Sequence, residues 1–200
     1  MTRPVLRTET RDAILDAAGR MVERYGYRKT TMSDIAREAG VGKATLYLYF
    51  ESKQDLALAY VDRLADRVLQ ALRRLAAEPA PAAERLCRML RLRVASALAA
   101  VRNMTQSLDD LFAEMRAQLL AQRRSQQAAE AHVLAEVVRD GQRRGELADV
   151  DPDTAARCLL GATNAYMPYS LSRDELGDPE DLIAETERLA RLLMEGLIRR

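Results

Sequence analysis

A short segment of this chain combines basic, hydroxyl and aromatic side chains within two helical turns. Residues 43–49, KATLYLY, bring Lys43, Thr45 and Tyr47 together with small and apolar neighbours. An ammonium group and hydroxyl groups donate hydrogen bonds to phosphate oxygens, and small side chains allow close approach to base edges. The pattern predicts a surface that contacts nucleic acid. The alternative is a compact helical hairpin whose polar face is only solvated.

The residues before this segment predict how it is held. Thr31 and Asp34 form a T-x-x-D capping pair, which starts a helix over about 32–39. Gly40 follows at the place where a residue with positive φ ends a helix, because glycine has no Cβ to clash there. A second helix then covers 43–50. Two short helices joined by a glycine turn have the layout of a helix-turn-helix.

The second and third helices also have recognisable starts. Gly42 stands at the N-cap of the second helix, where glycine is weaker than serine or aspartate. Ser52 and Asp55 form another capping pair, which starts a long helix over about 53–77. The apolar residues around the turn provide the interior that the motif needs: Ile35, Ala36, Ala39, Val41, Leu46, Tyr49 and Phe50.

The rest of the chain has helical periodicity and few helix breakers. Only nine glycines and six prolines occur in 200 residues, which favours an all-helical protein. Further helices are predicted over about 10–25, 83–101, 105–145, 152–166 and 179–198, with 105–145 either broken or divided in two. We therefore predict an all-α fold. An N-terminal three-helix domain with the helix-turn-helix covers 1–52, and a second helical domain covers 53–200.

The segment from Ile14 to Asp55 resembles the N-terminal domain of the TetR/AcrR family of transcriptional regulators. The matching stretches are ILDAAGRMVERYGYRKTTMSDIA and REAGVGKATLYLYFESKQDL. The resemblance implies contacts with double-stranded DNA, with Lys43, Ala44 and Thr45 nearest the base edges. The complete implied set of DNA-binding residues is Thr31, Lys43, Ala44, Thr45, Tyr47, Tyr49 and Lys53. Of these, Tyr47, Tyr49 and Lys53 are expected mainly on phosphates.

Two positions depart from what the resemblance leads us to expect. Gly42 stands where the family often has serine or a similar capping residue, so the second helix loses a side-chain cap and one possible phosphate contact. Leu48 is apolar at a position that can face the groove. It either packs on a thymine methyl group or turns inward, and the sequence leaves both open.

The resemblance also implies a homodimer on a palindromic operator, because one recognition helix contacts only a few base pairs. The predicted dimer surface comprises the last two helices, with Gly161, Ala162, Ala165 and the broad apolar face of 182–197. The alternative is that these faces complete a monomeric core.

An unknown small-molecule effector, apolar or amphipathic, is implied for the second domain. Met89, Arg93, Phe112, Met115, Leu119, Asn164, Tyr166 and Met167 are the candidate ligand-binding residues, and ordinary core packing is the alternative for each. The expected function is sequence-specific repression relieved by this effector. The alternative is a DNA-binding regulator without a small-molecule effector, controlled by a protein partner or by its abundance.

Composition argues against other classes of function. One histidine and two isolated cysteines, Cys87 and Cys158, provide no metal-ligand spacing. We therefore expect no enzyme activity, no catalytic residues, no metal and no cofactor.

The net charge is only +1, but residues 1–53 hold ten Lys and Arg against seven Asp and Glu, a net +3. Arg3 and Arg7 then lie on a terminal arm that either reaches a minor groove or is simply solvated.

The chain has no run of about 20 apolar residues, so no membrane span is expected. Its first twelve residues, MTRPVLRTETRD, have no apolar signal-peptide core. We therefore expect a cytoplasmic protein.

Overall fold

The computed structural model describes the backbone of residues 3–101, 105–168 and 177–198, and the side chains of 7–101, 114–168 and 177–198. Within these ranges the chain forms eight α-helices and an isolated β-bridge between Leu147 and Ile198. The helices are α1 Arg3–Tyr25, α2 Met32–Glu38, α3 Lys43–Tyr49, α4 Lys53–Ala76, α5 Ala82–Val101, α6 Thr105–Arg143, α7 Pro152–Thr163 and α8 Pro179–Leu197. The predicted all-α fold is confirmed.

Helices α1 and α7 differ from the sequence-based expectation. Helix α1 begins at Arg3, so Arg7 belongs to a helix and not to a terminal arm; proline at a second helical position is compatible with this start. Helix α6 agrees with one of the two predicted alternatives, a single broken helix, and its interruption lies at Met115, whose φ is −133° and ψ 23°. Helix α7 ends at Thr163, and a separate 3₁₀ turn, Asn164–Tyr166, follows it.

The chain forms two compact units. The first contains the described residues of 1–64 and 103–122, and the second those of 65–102 and 123–200. Helices α4 and α6 contribute residues to both units. The domain division at residue 52 stays a prediction, and the first turns of α4 pack on the helix-turn-helix core through Leu56, Ala59 and Tyr60.

The core of the first unit is built from residues of α1, α2, α3 and the start of α4. Burial of apolar side chains supplies the main driving force for this packing. The buried residues are Ile14, Leu15, Ala17, Ala18, Met21, Met32, Ile35, Ala36, Leu46, Phe50 and Leu56. Val41 and Tyr49 are partly buried against them, as the sequence predicts for the turn. Tyr25, the last residue of α1, is 50% exposed and lies outside this core.

Close packing and an ionic contact join α1 to α4. Gly19 of α1 has no side chain where a Cβ would lie 2.8 Å from the Tyr60 ring. Arg63 of α4 donates from Nη2 to the Asp16 carboxylate at 2.7 Å and from Nη1 to the Asp12 carbonyl at 3.0 Å. These contacts fix α1 against α4.

Helix α5 lies in the core of the second unit, packed against α7 and α8. Its inward residues include Leu86, Met89 and Leu90, which are fully buried. Arg85, 4% exposed, donates to the Ala76 carbonyl at 2.6 Å and to the Asp140 carboxylate. A buried guanidinium needs such partners because an unpaired charge in the interior is costly.

No helix in the described part of the chain is long and apolar enough to cross a bilayer.

Candidate nucleic-acid interface

The capping box of α2 forms as the sequence predicts. The Asp34 backbone N–H donates to Thr31 Oγ1 at 3.2 Å, and the Thr31 backbone N–H donates to Asp34 Oδ2 at 3.2 Å. The Thr31 hydroxyl donates to the same carboxylate at 2.6 Å. This hydroxyl, then the Thr31 N–H, and then Arg37 hold the pKa of Asp34 below its ordinary value. The first helix of the motif therefore has a defined start.

The turn after α2 is closed by two backbone hydrogen bonds. Gly40 has a φ of +68°, the left-handed conformation expected from its position. Its N–H donates to Arg37 O at 3.2 Å, and the Val41 N–H donates to Ala36 O at 3.0 Å. These are the 5→2 and 6→1 bonds of a Schellman motif. The angle at which the chain enters α3 is thereby set by local geometry.

Helix α3 is short and only one of its side chains is buried. Leu46 is fully buried in the core of the first unit, and Gly42 provides no side-chain cap. Lys43, Ala44, Tyr47 and Leu48 are exposed, whereas Thr45 and Tyr49 are half-buried. The face predicted to contact DNA thus lies opposite the anchoring leucine.

Leu48 does not turn inward. Its side chain is 78% exposed, and that of its neighbour Tyr47 is 45% exposed. The structure therefore decides between the two orientations that the sequence left open for this leucine.

Lys53 is held inside the first unit by three contacts. Its Nζ donates to the Tyr27 carbonyl at 3.0 Å and to the Arg28 carbonyl at 3.5 Å. The same Nζ lies 4.3 Å from the centroid of the Tyr27 ring, a cation–π distance. Lys53 therefore fastens the loop after α1 to the first turn of α4.

Sequence reasoning missed the loop residues that Lys53 contacts. Tyr27 is 1% exposed, and burial together with the Glu114 carboxylate raises its pKa to about 12. Buried Thr30 donates from its hydroxyl to Gly26 O at 2.8 Å and to Met21 O at 3.3 Å. The segment YGYRKTT offered only a glycine stop as a signal, because the partners of Tyr27 come from α4 and α6.

The start of α4 is also capped, but the Asp55 carboxylate bonds a different backbone N–H from the one that a standard capping box uses. The Asp55 N–H donates to Ser52 Oγ at 3.0 Å, as the predicted pair requires. The Asp55 carboxylate accepts from the Glu51 N–H at 3.1 Å, one residue earlier than in a standard capping box. These two hydrogen bonds connect Glu51 and Ser52, which link α3 to α4, with the first turn of α4.

Comparison with known families matches both parts of the chain. The family model for bacterial regulatory proteins of the tetR family matches residues 14–60, and the model for the tetracyclin repressor-like C-terminal domain matches residues 79–167. The chain belongs to the TetR family. Its members are transcription regulators that bind DNA and are not enzymes, which confirms the expected class of function.

Individual relatives of this TetR-family chain differ in how much they share with it. A fatty acid metabolism regulator protein of Bacillus subtilis is 23% identical over 92% of this chain and 93% of its own length. The HTH-type transcriptional regulator AlkX of Mycobacterium tuberculosis is 41% identical over 32% of this chain and 30% of its own length. A TetR/AcrR-family regulator from Thermobifida fusca has a crystal structure with a TM-score of 0.70 and 26% identity, covering 91% of this chain and 96% of that one.

The predicted ligand-binding residues of this regulator fall into both units. Arg93 and Asn164 come together in the second unit, where Arg93 Nη2 donates to Asn164 Oδ1 at 2.7 Å. Tyr166 and Met167 pack around buried Val94 and Leu98, and Met89 lies in the main core. Met115, which is buried, and Leu119 belong to the first unit. Phe112 lies outside the described side chains.

Arg93 is the centre of a buried polar cluster in the second unit. It is 2% exposed, and its Nε donates to Glu130 Oε2 at 2.6 Å. Its Nη1 donates to Thr163 Oγ1 at 3.3 Å, and Gln127 Nε2 donates to Asn164 Oδ1 at 3.2 Å. Sequence reasoning missed Glu130, Thr163 and Gln127, because their bonds to Arg93 or Asn164 span 37 to 70 positions and leave no local pattern.

Proposed function

We propose that this chain is a homodimeric repressor that inserts α3 into successive major grooves of a palindromic operator. A small apolar or amphipathic effector, bound in the second helical domain, releases it. The observation that supports this proposal most is the position of Lys43, Ala44 and Tyr47. They are exposed on a helix whose entry is fixed by the Thr31 cap and the Gly40 turn. The matched TetR-family model covers this same segment.

The residues divide by role in this proposal. Lys43, Ala44 and Thr45 lie at the N-terminal end of α3, the end that contacts base edges in a helix-turn-helix. Tyr47 and Tyr49 bind phosphates through their hydroxyl groups, which fix position without selecting sequence. The Thr31 hydroxyl already bonds the Asp34 carboxylate, so Thr31 acts by capping α2. Lys53 adds a positive charge near the same backbone.

Selection of bound DNA from a random pool tests the DNA half of the proposal. A palindromic site with half-sites about 34–36 Å apart, or a multiple of that distance, is the expected result. On this site Lys43→Ala should alter base preference, by about 1–3 kcal/mol where a base contact is lost. Tyr47→Ala should weaken binding to all sequences alike. Equal losses on all sequences from both variants would contradict the division of roles.

Lys53 needs its own measurement because it already bonds two carbonyl groups. We compare Lys53→Met with the wild type by titration with operator DNA at several salt concentrations. Loss of one phosphate contact lowers the salt slope by about 1. An unchanged slope with lower thermal stability would assign Lys53 to the fold alone.

The dimer surface that we propose comprises one face each of α7 and α8. Gly161 has open space around it, and Leu192 on α8 is 65% exposed. Small residues let two helices approach closely, and exposed leucine supplies apolar area. Sedimentation should show a dimer for the wild type and a monomer for Leu192→Arg. Glu136→Arg, on an exposed face of α6, serves as the control and should stay dimeric.

The effector proposal is supported by the polar cluster at Arg93 and by a relative's name. Arg93 and Asn164 place hydrogen-bonding groups among apolar side chains, an arrangement suited to an amphipathic ligand. The Bacillus subtilis relative is called a fatty acid metabolism regulator protein. Fatty acids are therefore the first compounds to test for release from the selected site. Effector binding shifts the population towards a dimer whose recognition helices no longer fit both grooves.

Two observations favour the alternative function, a DNA-binding regulator without a small-molecule effector. Arg93 is already paired with Glu130, and Met89 is fully buried in the core. A packed interior is expected when a protein partner or protein abundance sets DNA occupancy. A broad ligand screen in which no compound binds or changes operator affinity would support this alternative.

A further inference from the structure

The exposed face of α3 includes an apolar side chain that the polar contacts leave unexplained. Leu48, at 78% exposure, is the most exposed of the large hydrophobic residues in the described part of the chain. Single exposed apolar residues are common on protein surfaces. This one lies on α3, the second helix of the helix-turn-helix, within the segment that the tetR-family model matches.

The helical register shows which surface Leu48 shares. Each residue turns about 100° around a helix, so Leu48 points away from Leu46, which is fully buried. Ala44 is one turn earlier on the same side and is also exposed. Ala44 and Leu48 therefore form a short apolar strip, with Lys43 and Tyr47 on one side of it and Thr45 and Tyr49 on the other.

Base edges in a major groove offer few apolar groups. Guanine, cytosine and adenine present hydrogen-bond donors and acceptors there, whereas thymine adds its C5-methyl group. A leucine in the groove would leave those polar groups without partners, but it can bury the methyl group of a thymine. Apolar contact with this methyl is therefore the favourable interaction open to Leu48.

We propose that Leu48 is a specificity-determining residue that recognises a thymine in each operator half-site by packing on its C5-methyl group. This inference rests on the proposed insertion of α3 into the major groove. It adds a recognised base to that function and explains why an apolar residue stands in an exposed position.

A thymine-to-deoxyuridine scan of the selected operator tests the proposal, because deoxyuridine lacks only the methyl group. One thymine in each half-site should be sensitive, and its replacement should weaken wild-type binding about fourfold, the loss expected for one buried methyl group. Leu48→Ala should bind the thymine operator about tenfold more weakly. The same replacement should then cost this variant less than about twofold, since the methyl has lost its partner.

Leu48→Met is the matched variant, because it keeps an apolar side chain of similar volume and should retain sensitivity to the thymine methyl. Thermal unfolding of all three proteins should coincide, since position 48 is exposed. The proposal is overturned if no deoxyuridine replacement affects the wild type, or if Leu48→Ala remains equally sensitive at every thymine. Failure of the pool to yield any preferred sequence would instead refute the proposed function itself.

Discussion

Two groups of polar residues, one in each compact unit, lie in opposite environments. In the first unit, Lys43 and Tyr47 are exposed on α3, and Thr31 caps a neighbouring helix end. In the second unit, Arg93 and Glu130 pair in the interior, at 2% and 8% exposure. An exposed group can meet a partner with little cost, whereas a buried charge must already have one. The first arrangement is suited to binding a large polyanion, and the second to fixing one interior arrangement.

Breaking the buried pair should have the largest effect. Arg93→Met leaves the Glu130 carboxylate buried without its cation, which should lower the free energy of unfolding by about 3–5 kcal/mol. Urea denaturation monitored by circular dichroism measures the loss. The double variant Arg93→Met/Glu130→Leu removes both charges and should recover most of it. If Arg93→Met were as stable as the wild type, the buried pair would not be needed for the fold, and the contrast with the exposed residues of α3 would fail.

The next largest effect compares two leucines on α3. Leu46→Ala opens a cavity in the core of the first unit and should cost about 2–5 kcal/mol in free energy of unfolding. Leu48→Ala, two residues later, should change stability by less than about 0.5 kcal/mol. Thermal unfolding of the two variants in parallel tests this. Similar losses at both positions would show that the exposed face of α3 is part of the fold.

The cap of α2 should contribute less than a core leucine. Thr31→Ala removes the side-chain acceptor for the Asp34 N–H and should cost about 0.5–2 kcal/mol of stability. Thr31→Ser keeps a hydroxyl and should stay within about 0.5 kcal/mol of the wild type. Equal losses in both variants would point to the threonine methyl group in place of the cap.

The Thr31 cap also predicts a dependence on acid. Because the folded pKa of Asp34 lies below its unfolded value, its carboxylate stabilises the fold above the unfolded pKa. This contribution is lost as the pH falls through the lowered folded pKa. The stability difference between wild type and Thr31→Ala should therefore shrink as the pH falls from neutral to acid. A constant difference over that range would contradict the role of the Asp34 charge.

The smallest effect at neutral pH is expected at Tyr27. Its folded pKa of about 12 exceeds the ordinary value of about 10, so the neutral phenol is favoured in the folded state. The associated stability is present below pH 10 and is lost as the pH rises towards 12. Tyr27→Phe should lack this alkaline loss, whereas Tyr25→Phe, at an exposed position, should retain it. Alkaline unfolding curves of the three proteins provide the measurement.

Sequence patterns predicted the first unit in more detail than the second. The Thr31 cap, the Gly40 turn and the burial of Leu46 depend on residues within a few positions of one another, so they leave a readable pattern. The same patterns placed Lys43, Ala44 and Tyr47 on one exposed face. The orientation of Leu48 and the carbonyl partners of Lys53 needed the structure, because they depend on how the helices pack.

The amino-acid sequence by itself determined that this chain is all-helical, where its helix-turn-helix lies and to which family it belongs. Caps, glycine turns and helical periodicity are local, and the backbone responds to them wherever they occur. Only the tertiary structure decided that Glu130 and Thr163 bond Arg93 and that Lys53 contacts Tyr27. The packing of distant segments brings these partners together, and no spacing along the chain predicts such contacts.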